Sequence, residues 1–231
     1  MNTRKTVWMG LASAALALAL APSSQAQVTG TINISGTVSP AVKLTSGGAA
    51  TLAGNTSGGV TAQSAADAAL ATVVDFGEVG PGNTNTYVCF TQPLFLRANA
   101  PSTVSAAVTA AVFAGGVGDI AKTDIGFGFQ NLAAGGPNAS IATTTVNGAF
   151  NSDPCAAPVV AGVPTFSATL NSIATAAPGT AVISSTGAIS MRGNFNSPSN
   201  EADVDLKLAI VPQAFTIGTF SATVTLTITS P

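Results

Sequence analysis

Residues 218–231 read GTFSATVTLTITSP. Phe220, Ala222, Val224, Leu226 and Ile228 alternate with Ser221, Thr223, Thr225, Thr227 and Thr229. One face is wholly apolar and the other is almost pure threonine. A two-residue period of this kind predicts a half-buried β-strand. Just before it, Val204, Leu206, Leu208 and Ile210 form a second apolar row, backed by Asp203, Asp205, Lys207 and Ala209. The connection Pro212–Gly218 predicts that these two runs form an antiparallel pair.

Working towards the N-terminus, the same pattern recurs about every dozen residues. Strands are predicted over 72–79, 86–97, 103–113, 125–132, 141–150, 165–170 and 181–191, with Gly, Pro, Asn and Ser between them. Such spacing is that of a sandwich or barrel. Pro93 has no N–H for a ladder, so 86–97 is predicted to be an edge, a bulge or two short strands. One Ala-rich stretch, 62–71, predicts a short helix. No strict repeat and no linker divides 41–231, which reads as one β-domain.

The front of the chain mirrors its end. Gln27–Pro40 reads QVTGTINISGTVSP, with Val28, Gly30, Ile32, Ile34, Gly36 and Val38 on one face and Thr29, Thr31, Asn33, Ser35 and Thr37 on the other. Before it, Arg4 and Lys5 precede an apolar run from Trp8 to Ala21, and Ser24-Gln25-Ala26 supplies small residues. That order predicts a cleaved export signal over residues 1–26. The run is short of the roughly 20 residues of a membrane span. The expected mature chain has no membrane span and is exported. Alternation alone leaves open whether Val28–Val38 pairs within its own domain or with another copy.

Composition excludes several chemistries. Only 7% of residues are charged; without Arg4 and Lys5, five basic residues face nine acidic ones, a net charge of −4. No basic cluster marks a nucleic-acid surface. The chain has no histidine, which removes Ser-His-Asp and Cys-His catalysis and histidine-ligated zinc. Asp203, Asp205 and Glu201 suggest a calcium site or, more simply, a solvated strand face; no EF-hand loop is present. The loop GGVG at 115–118 lacks the Lys-Ser/Thr of a phosphate loop. No carboxylate pair stands out as that of a glycosidase. The expectation is a protein that is not an enzyme and holds no cofactor or metal. An even pair of cysteines in an exported chain predicts a Cys89–Cys155 disulfide, closing a loop whose entropy is worth about 4 kcal/mol.

The motif Gly30-Thr-Ile32-Asn-Ile34-Ser-Gly36-Thr-Val38 resembles the N-terminal extension of chaperone–usher pilins, and Gly218–Ile228 is similar to the last strand of that family. The likeness covers these two ends. The chain departs from the pattern in having Val42-Lys43-Leu44 where many pilins place a cysteine, and Thr229-Ser230-Pro231 where an aromatic residue often stands. The resemblance implies an immunoglobulin-like antiparallel β-sandwich with a separate N-terminal strand. It implies a fibre subunit assembled by donor-strand complementation. Val28, Ile32, Ile34 and Val38 would be knobs, Gly30 and Gly36 would pass where no side chain fits, and Phe220, Ala222, Val224, Leu226 and Ile228 would line the acceptor edge. The implied partners are other copies or related subunits, a periplasmic chaperone and an outer-membrane usher. The implied destination is the cell surface, reached through the periplasm. Two alternatives remain at this stage: a self-contained surface or coat sandwich, and a glycan-binding adhesin. A mature chain whose single aromatic polar residue is Tyr87, with no tryptophan, weighs against the latter.

Overall fold

A computed structural model of the chain describes residues 34–54, 56–79, 88–112, 120–156, 172–173, 176–210 and 214–231. The expected strand at 165–170 and donor residues Val28, Gly30 and Ile32 lie outside them. The chain divides into two units, Met1–Val38 and Ser39–Pro231. In the first, residues 34–38 take no regular secondary structure, and Ile34 and Val38 are 92% and 86% exposed.

The second unit is an antiparallel β-sandwich. Its strands are β1 (Val42–Ser46), β2 (Thr51–Ala53), β3 (Gly59–Ala62), β4 (Val73–Asp75), β5 (Val88–Ala98), β6 (Ser102–Val112), β7 (Ile125–Ala134), β8 (Thr144–Val146), β9 (Thr180–Ser185), β10 (Ala202–Ile210) and β11 (Ser221–Thr229). One sheet has the order β1-β5-β10-β7, with β2 also on β5; the other has the order β11-β6-β9-β8; β3 and β4 form a separate ribbon. Labelled A to F along the chain with β8 and β9 left out, the strands β1, β5, β10 and β7 give A-B-E-D and β11 and β6 give F-C, as in an immunoglobulin-type sandwich, while β9 and β8 extend the second sheet beyond β6. Among the described residues no strand occupies the position of G, beside F.

The core lies between the sheets. Phe90, Leu94 and Leu96 of β5 face it with Leu206 and Ile210 of β10, and Phe127 and Phe129 of β7, all at most 5% exposed. Phe127 meets Phe129 and Phe150 edge-on, with centroids 5.4 and 5.6 Å apart. The opposite sheet contributes Val104, Ala106, Val182 and Ile183.

Four sequence expectations change. β10 and β11 are not a hairpin pair: β10 lies between β5 and β7, whereas β11 lies against β6. Both runs are amphipathic, so each needs a facing layer, and placing them in opposite sheets lets their apolar rows contribute to one core. Residues 62–71 form no helix. Asp67 there adopts a positive φ of 63° and reaches the Arg97 guanidinium, so a tertiary ion pair overrides alanine's helix preference. Pro93 sits inside a continuous eleven-residue central strand. Its carbonyl accepts from Gly47 N at 2.7 Å, so its donor-less nitrogen faces the gap between β1 and β2. The neighbouring strand is interrupted where the proline has nothing to give. The strand expected over 141–150 shrinks to β8, three residues long.

Cys89 and Cys155 form the expected disulfide, with Cα atoms 5.6 Å apart. Among the described residues no helix is long and apolar enough to cross a membrane.

Candidate functional site

The predicted acceptor residues meet along one strand. β11 pairs β6 on one side, with Val224 opposite Val108, Leu226 opposite Ala106 and Ile228 opposite Val104. Its other edge has no strand partner among the described residues. A register shift between Ser221 and Thr223 bends the strand at its start, leaving Phe220 one residue before the ladder and Ala222 exposed.

Burial separates β11 from the strand it resembles most in sequence. The inward row of β10 is closed: Val204 is 1% and Leu206 5% exposed. The inward row of β11 is only half-buried at Val224, Leu226 and Ile228. Two rows of equal hydropathy therefore end in different environments. Covering an aliphatic side chain fully is worth roughly 1.5–3 kcal/mol, so β11 retains an unspent drive to bury surface. At its N-terminal half the gap deepens into a cavity of about 620 Å³, lined by Phe76, Ile125, Ile173, Leu208, Phe215 and Phe220 among others. Ile217 at its rim is fully exposed. No motif in the sequence assigned Phe76, Ile173 or Phe215 to this place; the signal they carried was an apolar residue beside a turn.

The end strands β8, β1 and β7 of the two main sheets are blunted at particular points. β8 has only three residues. On β1, Ser46 N–H donates to Ala68 O at 3.0 Å and Ser46 O accepts from Asp67 N at 2.8 Å. On β7, Phe129 N–H donates to Phe150 O at 2.9 Å, and Gly126 bridges Ser172. Short strands and covering loops are the usual ways in which an edge is kept from pairing with another chain. β11, nine residues long and without a charged side chain, has neither among the described residues.

The carboxylates singled out as a possible calcium site have another role. Arg97, fully buried on the outer face of β5, donates to both Asp67 and Glu201, and its Nη2–Asp67 Oδ2 distance is 3.2 Å. Asp205 accepts from Asn131 at 2.7 Å and Lys207 pairs with Asp153 at 2.6 Å. Among the described residues no acidic group is arranged to hold a metal ion. The two carboxylates on Arg97 shift in opposite directions. Asp67 lies at the rim, and its hydrogen bond from Arg97 lowers its pKa. Glu201 is 3% exposed, and desolvation outweighs the guanidinium and raises it. Burial likewise raises Asp203 and Asp124.

A pH profile follows from these directions. A carboxyl whose folded pKa is raised holds a proton that the unfolded chain has lost, so lowering pH favours the fold. Stability rises from neutral pH to about pH 5, then falls below about pH 4 as Asp67, whose pKa is lowered, is protonated. Glu201→Gln flattens the rise. Urea midpoints measured across this range test it; a profile identical in the variant contradicts the role of Glu201.

No family model matches the chain, and no curated protein matches its sequence.

Proposed function

We propose that this protein is a structural subunit of a surface fibre, completed by a strand that another copy donates along the open edge of β11. The supporting observation is the half-covered apolar row of Val224, Leu226 and Ile228 at a position where an immunoglobulin-type sandwich carries strand G. The donor is Val28–Val38. Its own apolar alternation matches that of β11, and backbone pairing supplies affinity while alternate side chains fill the groove. Two knobs of that segment, Ile34 and Val38, are exposed apolar side chains.

The same reading takes the chain through the periplasm. An open nine-residue edge is an aggregation hazard in transit, so a chaperone lends a temporary strand and an outer-membrane usher exchanges it for the next subunit. The Cys89–Cys155 disulfide is compatible with that oxidising route.

The test uses residues 39–231 and a synthetic peptide of residues 27–40. Starting at Ser39 keeps β1 whole. The peptide binds one to one and raises Tm with concentration, as a ligand of the folded state must. An unchanged Tm at saturating peptide, together with a full-length chain that stays monomeric, sinks the proposal in favour of a self-contained sandwich.

A further inference from the structure

The segment running from Phe150 to Cys155 crosses the sandwich in an unusual way. Phe150 is 2% exposed and packs on Phe127, inside the core. Its carbonyl accepts from Phe129 N, on the side of β7 that faces away from β10. The chain then turns over the outer face. A Cβ on Gly128 would lie 2.3 Å from Ser152 O, so glycine is what lets the segment pass directly over β7. Asp153 next pairs with Lys207 of β10 at 2.6 Å, and Cys155 reaches Cys89 of β5. The register rows here are Gly128–Lys207–Thr91 and Gly126–Ala209–Cys89, so the segment crosses three strands obliquely, from the first row at Gly128 and Lys207 to the second at Cys89. Ala209 on the outer face is fully buried as a result.

What lies beneath is a vulnerable edge. Ile125–Gln130 reads IGFGFQ, without a charge or a proline. Stretches of that kind pair readily with a second chain when their edge is free.

We infer that the strap Phe150–Cys155 is an edge guard: it seals the β7 side of the sandwich, so that β11 is the one edge on which the subunit accepts a strand. The inference rests on the strand-accepting reading of β11 for its consequence, a linear rather than a branched fibre. The guard itself is independent of that reading.

The experiment compares three full-length chains, each carrying Ile34→Asp to silence donation: that change alone, with Cys89→Ser and Cys155→Ser added, and with Asp153→Arg added. The arginine faces Lys207 and peels the strap by like-charge repulsion without opening the core. Mass is followed by light scattering over a range of concentrations, and exchange of the Phe129 amide by deuterium labelling. With the strap in place the chain is monomeric and the Phe129 amide is protected. With the strap freed, that amide exchanges about tenfold or more faster in dilute solution, and mass at least doubles on concentration. Folded, strap-freed chains that stay monomeric overturn the guard. If both strap variants unfold, rapid exchange of Phe129 in the intact protein overturns it by itself, and slow exchange supports it. If the chain without Ile34→Asp never polymerises, strand donation fails, while the comparison among these three still decides the guard.

Discussion

Replacing Ile34 with aspartate leaves the sandwich folded and abolishes end-to-end polymers. Ile34 is 92% exposed, and substitutions at such positions usually change stability by no more than about 0.5 kcal/mol. The monomer's Tm therefore stays within about 2 °C. Assembly is affected far more. On the proposed strand donation the variant loses the roughly 1.5–3 kcal/mol of burying an isoleucine and must also desolvate a carboxylate in an apolar groove, at a further cost of a few kcal/mol. A total near 4 kcal/mol weakens each subunit contact about a thousandfold. Light scattering and electron microscopy of the processed chain report it. Gly36→Val is a second arm: a Cβ there meets open space within the chain itself, so a loss of polymer would come from the groove that receives it. Polymers that persist, with a Tm that falls by several degrees, would instead place this strand within its own domain.

Replacing Arg97 with alanine destabilises the sandwich by about 3–5 kcal/mol, the usual consequence of removing one member of a buried ion pair. Arg97 is fully buried and Glu201 is 3% exposed, so the substitution leaves a carboxylate in a dry site without its cation. At about 2–4 °C per kcal/mol for a domain of this size, Tm falls by roughly 6–20 °C. The loss also depends on pH. Desolvation already raises the Glu201 pKa, and without Arg97 nothing opposes it. The variant then gains a proton on folding, so its deficit is greatest at neutral pH and shrinks towards about pH 5. Adding Glu201→Leu recovers part of the loss by removing the stranded charge. Urea unfolding of the single and double variants at both pH values measures this. Equal deficits at the two pH values, or a double variant no better than the single, would contradict it.

Much of this was legible in the chain. The period over Thr219–Thr229 located β11 to within two residues, because alternation is a property of neighbouring residues along a strand. The cysteine pair followed from count and compartment. The Arg97 network was not legible. Arg97 has no partner near it in sequence, and Glu201 stood among residues that read as a solvated face. Burial of both depends on strands more than a hundred residues apart in the chain.

The sequence by itself determined that the chain makes amphipathic strands, which faces they bury, and that one disulfide crosses the domain. Those are local periodicities and compositions, and they hold whatever the strands pair with. The tertiary structure alone decided that β10 and β11 belong to opposite sheets, that Pro93 sits in a central strand, and that loops contact the outer edge of β7 while that of β11 has no strand partner among the described residues. Pairing is a contest among edges that are chemically alike, and its outcome is set by which loops and ion pairs happen to cover each edge in three dimensions.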